Sequence, residues 1–575
     1  MRIAVDVMGG DHAPDAIIRG CLDALALLAP DDELVLVGTR ADIDELLAER
    51  SAIAADKRIR IFSTEQVIGM HESPAQAIKA KPESSLVKMA WLGSKRSDMY
   101  CDVVLSAGNT GACVAAATTQ MRRLPGVHRP GIAVTIPAFS GPLVLCDAGA
   151  NPEPRPNHLW QYGIMAAVFA ERALGIGSPR VAMMNIGSEE GKGTDLINST
   201  HQLLKTTPDL NYIGFIEGRE LFEGAADVVV TDGFVGNTML KMAEGFARSL
   251  MKAIAHEILT HDPDLMIALE PVFKEIYRKN DYHEYGGAPL LGVNGVCVIA
   301  HGSSEARTIK AALRNCRQYA ASGINEAIVE RLAAVGQTIA GMSHHIKNIM
   351  QSVRFGADMV RTALKEDDRD LLGKGWKLVE RNQTRIDELI LDMLSYSKER
   401  EPAIEPTDLN KLCEEVVDLV RGRAEARGVT LDWRPGTGVG SVPCDPDGIY
   451  RAVLNIIGNA IDALEDRPNA KVGIQAILEP AGDWAKVIVV DNGPGIPPEI
   501  IEEIFKPFVS TKGSRGTGLG LPVSRKILRE HGGDIHVQSV IDKGSKFSLR
   551  IPMKSAFAGD GSGATLPQMF LPPPD

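Results

Sequence analysis

Seven short apolar runs, IAVDVM, ELVLVG, DVVLSAG, LVLCDAG, VAMMNIG, DVVVTDG and VCVIAHG, punctuate residues 3 to 302, with helix-length amphipathic stretches between them. Strand-length runs alternating with helices predict a doubly wound α/β domain built on a mainly parallel sheet. Most of the runs stop at Gly, Asp or Asn just before the next helix. Polar side chains therefore gather at the carboxyl edge of the sheet, where open α/β folds bind ligands. A single crevice is expected to collect them.

The rhythm changes at Ile324. Residues 324–400 read as two long, glycine-poor helices with apolar residues three and four apart, a helical hairpin with one buried stripe. Two helices alone bury little, so a homodimer is expected. The stretch from Glu305 through Ile339 reads as one uninterrupted helix with Gly323 its weak point. Beyond the proline-bearing connector EREPAIEPTDL, residues 405–555 form a second mixed α/β pattern, and the Gly- and Pro-rich tail 556–575 reads as disordered. The expected domains are thus 1–323, 324–400 and 405–555, in keeping with a chain of 575 residues.

A net charge of -12 argues against general nucleic-acid binding, because phosphate neutralisation needs a basic footprint. The eight cysteines show no C-x-x-C pair and read as reduced thiols of a cytoplasmic protein. Met1 opens no charged-then-apolar leader, and no apolar run approaches the ~18 residues of a membrane span. Residues 246–277 are apolar enough for a dimer contact or, second, a peripheral membrane contact.

Four stretches in the last third, LNIIGNAIDA, DNGPG, IFKPF and GTGLGL, lie in order between 454 and 521. Asn455 and Asn459 share a helix face, and two amides at that spacing offer oxygen ligands to a phosphate-bound magnesium ion. Asp491, with Gly493 and Gly495 after it, gives a carboxylate that accepts from an exocyclic amine on backbone a flat base can approach. GTGLGL runs into a helix N-terminus, which favours phosphate through free N–H groups and the helix dipole. This set resembles the nucleotide-binding boxes of sensor histidine kinases, over about 324–553 of the chain. The resemblance implies an α+β sandwich ATPase domain of the kind shared with gyrase and Hsp90, using ATP and Mg2+. It makes Asn459 the metal ligand through ATP, Asn455 its companion and Asp491 the adenine reader. Gly516, Gly518 and Gly520 would lie along the phosphates under a lid, 505–516, in which Lys512 steadies the terminal phosphate. GSKF, 544–547, resembles the last glycine box.

Upstream, the run AGMSHHIKNIM carries adjacent histidines, and successive helical residues point about 100° apart, so only one ring can face the lid. The kinase pattern places the phosphoacceptor at His344 and, one turn on, a water-positioning polar residue at Asn348. His345 stands where that family has an acid; imidazole can act as the base but does not stabilise a developing imidazolium as a carboxylate does. The resemblance also implies a separate response regulator carrying the acceptor aspartate.

In the first half, Asp6, Gly9, Gly10, Asp11 and His12 follow the first run, and SAGNTGA sets Asn109 and Thr110 in a strand-to-helix turn. CDAGAN adds Asp147 and Asn151, NIGSEEGKG adds Lys192, and TDGFVGNTMLK adds Asp232 and Asn237. GSEEGKGT is not a nucleotide P-loop: its glycines are too close, and Gly193 stands where Ser or Thr should bind magnesium. Together with GAPLLGVNGVCVIAHGSS, these stretches resemble the phosphate acyltransferases of bacterial phospholipid synthesis across nearly all of 1–323. The resemblance implies transfer of a fatty acyl group from acyl carrier protein thioester to inorganic phosphate, with direct attack by a phosphate oxygen and donors for the oxyanion. Lys192 is the expected cation, Asn109, Asn151 and Asn237 the expected donors, and His71 and His301 further candidates for proton transfer. The leading expectation is a bifunctional acyltransferase and histidine kinase. The alternatives are a non-catalytic lipid-precursor sensor controlling the kinase, and an artefactual fusion of two genes.

Overall fold

The computed structural model describes residues 1–49, 56–138, 141–279, 286–397, 402–465, 467–479, 483–506 and 518–554. It forms two compact units, Met1–Gly336 and Gln337–Asp575.

The first unit is built on an eleven-stranded sheet in the order β3-β2-β1-β4-β11-β10-β5-β6-β9-β7-β8. The strands are β1 (Arg2–Asp6), β2 (Glu33–Gly38), β3 (Ile59–Ser63), β4 (Val103–Ser106), β5 (Gly131–Ala138), β6 (Gly141–Cys146), β7 (Val181–Met184), β8 (Tyr212–Ile216), β9 (Val228–Val230), β10 (Ala288–Leu291) and β11 (Val296–Ile299). All seven apolar runs are strands. Strands β1 to β4 and β11 run parallel to one another, as do β6 to β9 without β5. Between the two sets, the pairs β11/β10, β10/β5 and β5/β6 are antiparallel.

Three successive reversals leave the two parallel sets pointing in opposite directions. Their carboxyl ends therefore lie at opposite edges of the sheet, which corrects the expectation of one edge collecting every polar residue. The physical reason is the short β5–β6 connection: too few residues separate these strands for a helical crossover, so they pair as a hairpin. The helix Pro156–Leu174 is apolar on nearly all sides and packs Tyr162 and Phe169 into the core with Ile3, Val5, Val144 and Val228.

The helix Ala306–Ala321 ends at Ser322, and Gly323 takes a left-handed φ of +65° before the helix Ile324–Glu366 begins. The expected uninterrupted helix is thus two helices, because a left-handed residue stops the first and glycine adopts that conformation without a Cβ penalty. Ile324, Ile328, Leu332 and Val335 are buried in the same core as the sheet, which carries the first unit past 323 to Gly336.

In the second unit, the rest of that long helix and the helix Arg369–Ser397 form the hairpin. The turn between them is held by Asp368, whose Oδ1 accepts from the backbone N–H of Asp370 and Leu371. A Cβ on Gly356 would lie 3.0 Å from the carbonyl oxygen of Gly375, and one on Gly375 3.0 Å from that of Gly356. The helices thus cross backbone to backbone at this glycine pair. A five-stranded sheet follows, in the order β13-β15-β16-β18-β17, from β13 (Thr430–Arg434), β15 (Lys471–Leu478), β16 (Trp484–Asp491), β17 (Asp534–Val540) and β18 (Gly544–Pro552). A two-stranded ribbon pairs β12 (Glu405–Asp408) with β14 (Ser441–Cys444). Inward residues of β15 and β16, among them Val472, Ile474, Val487 and Val489, pack against the helices Leu409–Glu425, Pro446–Ala463 and Gly520–Glu530, giving the expected two-layer sandwich. Among the described residues no helix is long and apolar enough to cross a membrane. All eight cysteines are unpaired and buried.

Candidate active sites

At the carboxyl end of β1, Asp6 is almost fully buried and accepts from Ser106 Oγ at 2.8 Å, tying β1 to β4. Burial pushes its carboxyl above the usual range, opposed by hydrogen bonds from Ser85 and Ser106. A Cβ on Gly9 would come within 2.6 Å of Asp6 Oδ2 and 2.8 Å of the Gly108 backbone, so the loops after β1 and β4 meet only because both positions are glycine.

Asn109 caps the helix Thr110–Gln120: its Oδ1 accepts from Ala112 N at 3.1 Å. Its Nδ2 donates to Met70 O at 3.1 Å and Glu72 O at 3.0 Å. Both amide hydrogens are thereby engaged by backbone carbonyls. Asn109 holds the loop that carries exposed His71 over the helix start.

At the opposite edge, Asp147 is fully buried after β6. Its Oδ1 accepts from Ile132, Gly149 and Ala150 N–H, and its Oδ2 from Asn151 N at 2.6 Å. Burial raises its pKa against those four bonds. Asn151 Nδ2 donates to Pro130 O at 2.7 Å and to Tyr162 Oη at 2.6 Å, so this amide too is engaged in holding its turn. Asp232 caps the helix Gly233–His261 by accepting from Phe234 and Val235 N–H. That helix starts against the turn: a Cβ on Gly233 would lie 2.8 Å from both Asp147 Oδ2 and Asn151 O.

The Gly233 helix joins the two edges. Asn237 is exposed beside Gly149, whose Cβ would lie 3.6 Å from it. One turn further on, Lys241 Nζ lies 3.3 Å from Nε2 of His301, which follows β11 in the other strand set. His301 Nδ1 lies 2.8 Å from Ser303 Oγ. The backbone N–H of Ser303 also donates to Nδ1, at 3.2 Å, so both ring nitrogens of His301 have polar neighbours. Lys241 was missed in the sequence although it ends a run already singled out; its four-residue spacing from Asn237 was the available signal. Lys192 lies on the loop after β7, exposed and paired with Glu189 at 2.7 Å. Asn185, buried at the end of β7, donates from Nδ2 to Lys192 O at 3.2 Å and holds that loop down. Of the four expected groups, Lys192 and Asn237 face solvent; Asn109 and Asn151 build the scaffold.

In the second unit, Asp491 ends β16 and is 6% exposed. Its Oδ1 accepts from Gly493 N at 2.8 Å and Ser545 N at 3.3 Å, and burial pushes its carboxyl up. A Cβ on Gly493 would come within 2.6 Å of that oxygen, and one on Gly544 would overlap the Asp491 carbonyl. Gly495 has a φ of +74°. On the Pro446 helix, Asn455 Nδ2 lies 3.4 Å from Ser524 Oγ and packs beside Gly520, with half-buried Asn459 one turn on. Gly518, at φ +67°, leads into the helix that Gly520 opens. A buried carboxylate, facing amides and a helix N-terminus behind a left-handed glycine fit a purine, a metal-bound phosphate and free phosphate oxygens respectively. Ser524 and Ser545 complete these clusters and were not singled out in the sequence.

Lys512 and Gly516 lie outside the described residues, with most of the 505–516 lid. The backbone of His344 and His345 is part of the helix Ile324–Glu366, but their side chains lie outside the described residues. Asn348 is half-buried, and its carbonyl accepts from Ser352 Oγ at 3.2 Å.

Residues 1–327 match the family model described as fatty acid synthesis protein, and residues 444–555 the one described as histidine kinase-, DNA gyrase B- and HSP90-like ATPase. A phosphate acyltransferase of Desulfitobacterium hafniense (strain DSM 10664 / DCB-2) is 44% identical over 335 residues, covering 58% of this chain and 98% of that protein. Another, of Dictyoglomus turgidum, is 40% identical over 335 residues, with 58% and 98% covered. Among solved structures, the catalytic domain of histidine kinase ThkA is 32% identical, covers 26% of this chain and 95% of that one, and superposes with a TM-score of 0.24.

Proposed function

The chain belongs to the fatty acid synthesis protein family through residues 1–327 and carries a histidine kinase-type ATPase domain at 444–555; on that premise we propose that it transfers an acyl group from acyl carrier protein to phosphate and phosphorylates itself on His344. In the first reaction an oxygen of hydrogen phosphate attacks the thioester carbonyl, the C–S bond breaks, and the phosphate proton ends on the departing sulfur. Lys192 and Lys241 supply positive charge for phosphate and oxyanion, Asn237 an amide donor, and His301 a ring nitrogen for the proton. The observation that carries this reading is the Asn237, Lys241 and His301 alignment along one face of the Gly233 helix. Asn109, Asn151, Asp6 and Asp147 position the loops. The test is incubation of the full chain with acyl carrier protein thioester: acyl phosphate must form with inorganic phosphate and fail to form without it.

For the kinase, Asp491 receives the adenine amine, Gly493 and Gly495 let the base approach, and Gly516, Gly518 and Gly520 line the phosphates with Lys512. Asn459, with Asn455 beside it, would hold a Mg2+ ion through the phosphates, and such an ion supplies charge neutralisation to phosphoryl transfer. His344 offers a ring nitrogen, His345 serves as its base, and Asn348 positions water for dephosphorylation of a separate response regulator. The exposed apolar residues Phe246, Leu250, Ile254, Leu265 and Ile267 support a homodimer contact in the first unit.

A further inference from the structure

The chain is acidic overall, yet two neighbouring segments of the first unit invert that balance. Residues 121–130 and 151–160 contain Arg122, Arg123, His128, Arg129, Arg155 and His158 against one carboxylate, Glu153. The structure brings the segments together: the His128 and His158 rings lie 6.3 Å apart. Burial, then the charges of Arg129, His128 and Arg155, push the His158 pKa down, so these cations feel one another.

Most arginines of this unit that lie on the surface are matched, as Arg180 is to Asp227 and Arg58 to Asp56. Among the described residues, no carboxylate pairs with Arg122, Arg129 or Arg155, and all three are exposed. Like charges left together and unpaired destabilise a fold slightly and raise the local potential, which favours an anionic partner.

The cluster is built on a fixed frame. Gln161 on the Pro156 helix accepts from His128 N at 2.8 Å and donates to Gly126 O at 2.8 Å. Arg123 donates to His128 O, and Leu124 N to Gly292 O at 2.9 Å. Between these anchors lies an open depression of about 390 Å³ lined by Thr118, Arg122, Arg123, Leu124, Gly126 and Val127. Buried Leu124 and Val127 form its floor, and the exposed Arg122 and Arg123 at its rim suit a protein surface carrying acidic residues. The frame is also continuous with the Gly149–Asn151 turn, beside which Asn237 lies: Pro130, next to Arg129, accepts from Asn151 Nδ2 at 2.7 Å, and Arg155 follows Asn151 by four residues.

We propose that the arginine cluster of residues 122–129 and 155 is the docking surface for the acidic face of acyl carrier protein, placing its phosphopantetheine thioester beside the Gly149–Asn151 turn. This rests on the acyl-transfer reading above and adds to it where the protein substrate binds. Docking of this kind acts through association and is weakened by salt, because exposed charges are screened beyond about 8 to 10 Å.

The test uses the full chain carrying Arg122→Glu, Arg129→Glu and Arg155→Glu, with the single Arg129→Gln as a mild second variant. Two substrates are compared: acyl carrier protein thioester and a small acyl-pantetheine thioester with no protein attached. The expected result is a KM for the carrier thioester raised roughly tenfold or more in the triple variant, and raised less in Arg129→Gln, with kcat and small-thioester turnover within about twofold of the parent. Added salt should raise the parent's KM toward the variant's. A carrier KM unchanged by charge reversal, or an equal loss on the small thioester, overturns the proposal. So does retained affinity for carrier protein with lost affinity for phosphatidylglycerol vesicles, which would make the cluster a membrane contact. If the parent releases acyl phosphate from neither thioester, the acyl-transfer reading has failed. Fluorescence anisotropy with unacylated carrier protein then decides the surface: binding by the parent and loss in the triple variant supports it, and equal binding or none overturns it.

Discussion

Replacing Asn109 by alanine separates the two roles its position allows, scaffold and oxyanion donor. The substitution removes an N-cap acceptor, which costs about 1 kcal/mol, and leaves the first turn of the Thr110 helix with an unpaired N–H. It also removes the donors to Met70 O and Glu72 O, bonds of ordinary length at 3.1 and 3.0 Å, each contributing about 0.5–1.5 kcal/mol. Because the side chain is 8% exposed, water replaces these partners poorly. The expected loss is therefore about 2–4 kcal/mol of stability for the first unit. Asn109→Asp keeps the cap acceptor but loses both donors, so it should be spared the cap's share, about 1 kcal/mol, and lose the donors' share, about 1–3 kcal/mol. Urea unfolding followed by tryptophan fluorescence measures both, alongside acyl phosphate formation at a temperature where each variant stays folded. A stability change below about 0.5 kcal/mol together with a fall in kcat of about 10² or more would refute the scaffold assignment and return Asn109 to the oxyanion.

Lys192→Ala and Lys241→Ala should each lower phosphate-dependent thioester cleavage by about 10² or more, and an effect below about threefold would move that lysine out of the site. ATP affinity should fall on acidification before an ordinary carboxylate would titrate. Burial raises the Asp491 pKa, so the ionised form that accepts from adenine is present above that raised value and is lost as pH falls through it. The same raised value makes protonation favour the folded unit, so this group's contribution to stability rises as affinity falls. Asp491→Asn should flatten the pH dependence of ATP affinity measured by calorimetry. Saturating acyl carrier protein thioester should change the rate of His344 phosphorylation by a factor of about 5 to 150, the usual range of coupling between sites. Two residues inserted after Gly336 in the helix Ile324–Glu366, turning its remainder by about 200°, should abolish that response, and an unchanged response would show that the two units are merely tethered.

The strands that could be read from the sequence were the buried ones. IAVDVM and VCVIAHG are apolar runs bounded by turn residues, and such runs announce themselves. Edge strands β3 and β8 are only partly buried, so their patterns are mixed. The four residues of β10 follow two glycines and carry a proline, which removes the strand signal. Without β5 and β10 the reversal of direction was invisible, and the sheet read as if all its carboxyl ends shared one edge. Residue type pointed to the polar strand ends but did not show which atoms were free. The amide hydrogens of Asn109 go to carbonyls 37 and 39 residues away, and those of Asn151 to Pro130 and Tyr162, contacts that local spacing does not encode. In the ATPase domain the boxes were legible because glycines there are required by close backbone approach, as at Gly544 against the Asp491 carbonyl. Gly323 was legible as a weak point, yet its left-handed conformation made it a stop between two helices.

If one chain carries two separable activities, each can be removed without the other. The full-length protein, with its His344→Ala and Lys192→Ala variants, should be assayed in parallel for acyl phosphate released from carrier-protein thioester and for acid-labile phosphate gained from labelled ATP. The parent is predicted to show both, His344→Ala to keep only acyl transfer, and Lys192→Ala to keep only autophosphorylation. A parent lacking either activity, or labelling that persists in His344→Ala, would contradict it.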